Sequence, residues 1–425
     1  MFDDNEIVMG RREMWGQLHP FGISPDDLRQ HLYVIGKSGS GKTTLLRNLI
    51  LQLIEAGEGV GLIDPHGDLA QDILDHIPRH RIEDVVYLDP ADEEFPIGLN
   101  VLRTSGPQHL VVSGIVGAVK SIWADSWGPR LEYILYAALA ALIECDNVSL
   151  LGVQRMLSDH RYRYWVVKQV RDPMVRWFWE HEFENYDKRL LSEAVSPVQN
   201  KIGQLLMAPQ LRNILGQVTR AIDARFMMDR KRIFIANLAK GKLGEDKSNL
   251  LGALLVSEFH LAAMGRADVP ESERRDFRLF VDEFQSFATD SFASILSEAR
   301  KYRLSLTLSH QYTDQLPEEV KSAVFGNVGS LVSFRVGQTD AEILEREFGR
   351  DFTASQFTQL ANHHVLVRIL TDGAQVDPFH GKTLEPAGRK WGRRETIIRR
   401  SRERYASKRE EVDGRIRRWL GEYPP

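Results

Sequence analysis

The 425-residue chain has one cysteine, Cys145, so no disulfide can form within it. That excludes a disulfide-stapled secreted scaffold and fits a reducing compartment. Long apolar runs are missing too: the longest strongly apolar stretch, 133–145, is too short to span a bilayer and reads as a buried helix. The first residues, MFDDNEIVMGRR, lack the apolar core of a signal peptide. As it stands the chain is expected to be cytoplasmic and not itself membrane-spanning, so any recruitment to a membrane rests on a partner. It has no global basic character, with a formal net charge of −4. It also lacks internal repeats, which excludes a solenoid. What remains is an ordinary globular composition, 43% hydrophobic and 27% charged, in a chain long enough for a sizeable core.

The charge is unevenly placed. Residues 388–425 hold 13 Lys and Arg against 6 Asp and Glu, a net of +7, which leaves −11 for the rest. Such a tail reads as a contact element for nucleic acid, acidic lipid or an acidic partner, or as a solvated helix laced with salt bridges. Within it Trp391, Ile398, Tyr405, Val412 and Trp419 recur every seven residues. On one continuous helix that stripe drifts little, and it is too thin to bury itself. It is expected to lie along a neighbouring subunit or in a partner's groove. A coiled coil is disfavoured because Arg394, Ser401, Lys408 and Arg415 occupy the complementary core positions.

Residues 31–36 (HLYVIG), 59–65 (GVGLIDP) and 85–90 (VVYLDP) read as strands, with helical stretches between them. This alternation predicts an α/β core with a mainly parallel sheet. From about 106 to 221 strand signals are scarce and helical periodicity takes over, which predicts an inserted all-α domain. The α/β pattern then resumes. Strands are expected at 232–239, 278–283, 304–311, 330–336 and 364–370, and helices at 247–265, 290–302, 317–325 and 340–348. The chain is thus divided into an N-terminal segment 1–30, a first core part 31–105, the insertion 106–221, a second core part 222–385 and a basic helical tail 386–425.

Gly36-Lys37-Ser38-Gly39-Ser40-Gly41-Lys42-Thr43 matches G-x-x-x-x-G-K-[ST], with a strand before it and a helix after it. Glycines there let backbone N–H groups converge on phosphates at a helix N-terminus. Gly36, Ser38, Gly39, Ser40, Gly41, Lys42, Thr43 and Thr44 are therefore candidate ATP-binding residues. Lys42 would reach the β and γ phosphates, and the Thr43 hydroxyl would ligate Mg²⁺. In LFVDE (279–283) an acid ends an apolar strand. Asp282 would join the Mg²⁺ shell, and Glu283 would polarise the attacking water as general base. In P-loop proteins with a catalytic glutamate, a strand between these two carries a polar residue that senses the γ-phosphate. Gln311 fits that role, with His310 the weaker candidate.

These stretches resemble the HerA/FtsK-type translocase ATPases, and among them the conjugative coupling proteins of type IV secretion. The residues that carry the resemblance are HLYVIGKSGSGKTT (31–44), LIDPHGDL (62–69), LFVDEFQSFAT (279–289), SEARKYRLSLTLSHQYTDQL (297–316) and GNVGSLVSFRVGQTDAEIL (326–344). The resemblance implies a RecA-like core carrying an all-α insertion. It also implies assembly into a homo-oligomeric ring, usually a hexamer, with ATP sites between subunits and DNA in the pore. A nuclease, a relaxase or a membrane complex are possible further partners. Coupling proteins usually begin with transmembrane helices and HerA proteins with a small β-barrel, whereas here about 30 residues precede the P-loop. The implied activity is ATP hydrolysis coupled to DNA movement. The alternatives are a nucleotide-dependent scaffold or switch, and a protein-secretion ATPase.

The same resemblance places Arg300 near the γ-phosphate, with Arg335 and Arg29 as alternatives for a cation supplied across a subunit boundary. It places Asp64 and Asp68 beside the nucleotide; otherwise they form a turn that caps the next helix. For DNA the residues are less specific. Lys240 and Lys242 lie in a glycine-flanked loop. Arg161, Arg163, Lys168, Arg171 and Arg176 interleave with Tyr162, Tyr164 and Trp165, a mixture that suits nucleic acid but more often packs as core.

Overall fold

The computed structural model describes residues 6–219, 221–289, 292–349 and 351–421. Two compact units emerge. One comprises Met1–Tyr87, Phe226–Asn237 and Arg266–Arg400; the other comprises Leu88–Arg225, Leu238–Gly265 and Ser401–Pro425.

The first unit is built on one large sheet. Its strands are β1 (Ile7–Met14), β2 (Gln17–Ile23), β3 (Leu32–Ile35), β4 (Gly59–Asp64), β5 (Val85–Leu88), β6 (Ile233–Asn237), β7 (Phe277–Val281), β8 (Leu304–His310), β9 (Ser330–Ser333) and β10 (His364–Arg368). The short hairpin β11 (Leu370–Thr371) and β12 (Ala374–Gln375) stands apart, and β13 (Phe379–Thr383) rejoins the sheet. The order is β2-β1-β13-β10-β9-β3-β8-β7-β4-β6-β5. Pairing is parallel from β9 through β6 and antiparallel from β9 outward to β2. The parallel strands are buried along their whole length. They are mostly apolar because both faces are covered, although β8 alternates Leu with Ser and Thr. Helix α1 (Lys42–Glu55) buries Leu45, Leu46, Leu49, Ile50, Leu53 and Ile54, the spacing of one helical face.

On the antiparallel side β10 falls within the strand expected at 364–370. Residues 1–30 carry no strand expectation, yet β1 and β2 form a hairpin closed by Trp15 and Gly16, both at positive φ. The expected helix 290–302 begins on residues 290 and 291, which lie outside the described residues. From Phe292 it is the helix Phe292–Glu298 with a 3-10 turn Ala299–Tyr302.

The second unit is helical. Its longer helices are Gln108–Ile122, Pro129–Ile143, Lys188–Met207 and Glu245–Met264. The last was expected with the α/β core, but it is apolar on nearly every face and packs on Gln108–Ile122. Their approach is close enough that a Cβ on Gly114 would lie 2.3 Å from Ser257 Oγ. Among the described residues one helical stretch, Glu245–Asp268, is long and apolar enough to cross a membrane, and 78% of its most apolar window is buried inside the protein.

The tail corrects the expectation of one helix lying on a neighbour. It forms two helices, Arg394–Tyr405 and Arg409–Gly421, separated by a break at residues 406–408. Several of its apolar side chains are buried on its own chain. Ile397 joins the core of the first unit, with Ile398 only partly buried beside it. Val412 and Ile416 are buried in the second unit, where Trp419 packs edge-on against Tyr162. The basic side chains find acids of the same chain: Arg394 pairs with Asp75 at 2.8 Å, Arg402 with Asp92 at 2.7 Å and Arg409 with Glu93 at 3.2 Å. The break interrupts the single helix on which a seven-residue period would line up.

Candidate nucleotide-hydrolysing site

Parallel strands with covering helices open their C-terminal ends to ligands. Here those ends carry the P-loop after β3, Asp64 on β4, Asp282 and Glu283 after β7, Gln311 after β8 and Arg335 after β9. All belong to the first unit.

The P-loop is pinned by its neighbours. The Gly36 N–H donates to the His310 carbonyl at 3.1 Å, and the Lys37 N–H donates to the Arg335 carbonyl at 2.8 Å. On the far side the His363 N–H donates to the Ser40 carbonyl at 2.8 Å. Gly39 and Gly41 sit at φ 71° and 120°, a region that side-chain-bearing residues rarely adopt. A Cβ on Gly41 would also lie 2.8 Å from His363 Nδ1. No side chain caps the first turn of α1, so its N–H groups and the positive end of its dipole face the loop. Ser40 Oγ is buried without a hydrogen-bond partner among the described residues. These features fit a phosphate chain.

Lys42 is buried and donates to the Gly36 carbonyl at 2.5 Å and the Lys37 carbonyl at 3.3 Å. Burial pulls its pKa below the usual lysine value, while the Glu283 and Asp282 carboxylates oppose that fall. Burial likewise pushes the Asp282 carboxyl up to about 6. Asp64 and Glu283 add to that rise, and Ser309 and Lys42 work against it. A buried carboxyl crowded by acids suits a divalent cation. Thr43 stands exposed on the first turn of α1, and among the described residues no three His, Cys, Asp or Glu converge on one point. This sparse set fits Mg²⁺, which takes few protein ligands and completes its shell with water and phosphate.

Glu283 follows in the left-handed region, φ 47° and ψ 50°, and is buried. Its carboxylate accepts from Gln311 Nε2 at 2.7 Å and from Gln285 Nε2 at 2.7 Å. Gln311 reaches it because β8 lies between β3 and β7, the order expected from the motifs. His310 does not share that position. It is fully buried, its Nδ1 meets the Tyr33 hydroxyl at 2.9 Å, and burial together with Lys42 brings its pKa down to about 3.

Other candidates are placed less centrally. Asp64 is buried, accepts from the His66 and Ala70 N–H groups at 2.8 and 2.9 Å, and closes the turn into helix α2 (Asp68–His76). Asp68 is exposed in the first turn of α2. Arg335 is half-buried beside the P-loop of its own chain and donates to Asn362 Oδ1 at 3.2 Å. Arg29 is committed to a fork on Asp276 at 2.8 and 2.7 Å. Arg300 is exposed and donates to Gln30 Oε1 at 3.1 Å, at the end of β3 opposite the P-loop. The structure therefore does not bring Arg300 to its own Lys42.

The DNA candidates lie in the second unit. Lys240 pairs with Glu245 at 3.6 Å, and Lys242 is exposed. Tyr162 is core, with Arg155 over its ring, while Lys168 covers Tyr164. Sequence reasoning missed Gln285 and His363. Gln285 is adjacent in LFVDEFQ, but only the left-handed turn at Glu283 brings it back; His363 has no sequence signal at all.

A glycine loop at a helix N-terminus, facing buried acids on the next strand but one, defines a P-loop ATPase site of the class that carries a glutamate. The chain belongs to the HerA family: the model of the helicase HerA central domain matches residues 16–255. A curated relative, the type 4 coupling protein DotL of Legionella pneumophila, is 22% identical over 347 residues, covering 67% of this chain. The chain spans only 44% of DotL's length. The plasmid coupling protein TrwB, solved with a non-hydrolysable ATP analogue, matches with a TM-score of 0.63 at 15% identity, covering 92% of this chain and 91% of TrwB. VirB4 of Thermoanaerobacter pseudethanolicus matches with a TM-score of 0.60 at 14% identity, covering 91% of this chain and 98% of that one. The last two likenesses show a shared fold.

Proposed function

We propose that this chain hydrolyses ATP to drive DNA through a ring of identical subunits, in the manner of a HerA/FtsK motor or a coupling protein of type IV secretion. The observation that carries the hydrolytic part is the junction of β3, β8 and β7. Lys42, Gln311 and Glu283 are brought to one end of adjacent strands, with Glu283 hydrogen-bonded to Gln311. In this reading the loop amides of 36–44 cradle the phosphates, and Lys42 neutralises the β and γ oxygens. Glu283 takes the proton of the attacking water, and Gln311 reads the γ-phosphate. Thr43 and Asp282 would hold Mg²⁺ beside the phosphates, and the ion would supply charge neutralisation at the transferring group.

The ring rests on Arg300. A cation is needed where phosphoryl charge develops. Arg300 stands at the opposite end of the sheet from its own P-loop, so it would serve a neighbour's site, as a hexamer with shared sites requires. DNA as substrate rests on family membership and on the names of the relatives. A membrane complex of type IV secretion is the partner that those names favour.

The test is ATP turnover with and without DNA. Wild type should hydrolyse ATP, and DNA should raise the rate. Lys42→Ala should abolish turnover. Glu283→Gln should keep ATP binding yet lose about 10²–10⁴-fold in rate, the contribution of a general base. Turnover indifferent to DNA would refute a DNA motor and leave a switch or a protein-secretion ATPase. Particle images with DNA and an ATP analogue should show a ring with DNA in its pore.

A further inference from the structure

We propose that Gln285 is a positioning residue that restrains Glu283, so that hydrolysis by this site requires the Gln285 amide to let go. The inference rests on the reading of Glu283 as general base.

Both oxygens of the Glu283 carboxylate carry an amide donor. Gln311 Nε2 holds Oε1 and Gln285 Nε2 holds Oε2, each at 2.7 Å. Each donor fixes the orientation of the carboxylate and occupies a lone pair that an attacking water would otherwise use. The approach of that water is restricted at both oxygens in this arrangement. Gln311, at the tip of β8, has a second task in sensing phosphate. Gln285 has none, and among the described residues its amide bonds to Glu283 alone.

The backbone that carries Gln285 is firmly held. Glu283 lies in the left-handed region and starts a 3-10 turn, Phe284–Ser286, closed by Ser286 N–H to the Glu283 carbonyl at 3.0 Å. Phe284 and Phe287, on either side of Gln285, are buried, and Phe284 stacks on Phe292 with centroids 5.5 Å apart. Release therefore falls to the side chain rather than to the loop. The side chain is also poorly satisfied. An ionised carboxylate only accepts, so the Gln285 nitrogen must face it. That orientation leaves Gln285 Oε1 buried with no hydrogen-bond partner among the described residues. Turning the carboxamide away frees Glu283 and lets that oxygen find a donor, which offsets the lost bond. The clamp is thus built to open at small cost, and DNA engagement is the event that would open it.

The experiment compares Gln285→Leu, which keeps volume without a donor, and Gln285→Ala with wild type, measuring kcat and KM for ATP with and without DNA. In both variants the DNA-free kcat should rise about three- to tenfold, tenfold being ~1.4 kcal/mol of barrier. KM should stay unchanged and stimulation by DNA should shrink. A DNA-free kcat at or below that of wild type overturns the clamp and makes Gln285 an aid to catalysis or a structural residue. A rise in kcat accompanied by a matching change in KM overturns it too, since a carboxylate restraint acts on the chemical step. Wild-type turnover no higher than that of Lys42→Ala would instead overturn the reading of the site itself.

Discussion

Replacing Ile397 by alanine tests how the tail is held. The seven-residue stripe singles out Ile398, whereas the fold buries Ile397 completely and Ile398 only in part. Ile397 lies in the same apolar cluster as Ile73, Leu74 and Ile77. Truncating a fully buried isoleucine to alanine costs about 2–5 kcal/mol, the transfer term plus the cavity left behind. Ile398→Ala, which uncovers less, should cost about half of that or less. Against a typical stability of ~5–15 kcal/mol, Ile397→Ala should produce a plain loss. Urea unfolding followed by far-ultraviolet circular dichroism, at two protein concentrations tenfold apart, reads both effects. The midpoint of Ile397→Ala should fall well below that of Ile398→Ala, and neither difference should depend on concentration. An Ile398→Ala defect equal to or larger than that of Ile397→Ala, and relieved at high concentration, would refute packing within the chain and restore the neighbour-docked stripe.

Two other outcomes follow from the site. The Asp282 carboxyl keeps its proton up to about pH 6 in the folded protein, while an unfolded aspartate releases it near 4, so between those values the native state binds more protons. Stability should therefore fall as pH rises through that window. Asp282→Asn, measured without Mg²⁺ or nucleotide, should be more stable than wild type at pH 7 by up to ~3 kcal/mol, with the gap closing near pH 4. A gap that persists at pH 4 would mean that a contact, not a charge, is responsible. Arg300→Ala should lose turnover more than ATP affinity, and mixing it with Lys42→Ala subunits should restore activity. Mixtures that stay inactive would refute a shared site.

The phosphate machinery was legible because it is local. A glycine loop between a strand and a helix needs particular residues at fixed spacing, and so does an acid pair ending an apolar strand. Lys42, Thr43, Asp282 and Glu283 could therefore be singled out one by one. The parallel core was legible for the same reason: β3, β4, β7 and β8 are buried along their length and are mostly apolar, with small polar residues interrupting β8. Even the place of Gln311 followed, since strand order in this class fixes which tip faces the loop.

What depends on distant pairs was decided only by the tertiary structure. The edge strands β1, β2 and β13 have mixed burial, and the β1–β2 hairpin joins the sheet only by pairing β1 with β13 across more than 350 residues of chain. The tail's basic side chains looked like a docking arm because the acids that pair with them, Asp75, Asp92 and Glu93, lie some 310 residues or more away in sequence. Of the interleaved aromatics, Tyr162 resolves into core packing only once Arg155 and Trp419 close over it, while Tyr164 stays exposed. Gln285 is the sharpest case. Its residue type and spacing carry no sign of a clamp, because the bond to Glu283 exists only through a left-handed backbone turn that the surrounding buried phenylalanines hold in place. Sequence records which chemistry is present; packing decides which groups meet, because hydrogen bonds and ion pairs are set by distances that the chain's own order does not contain.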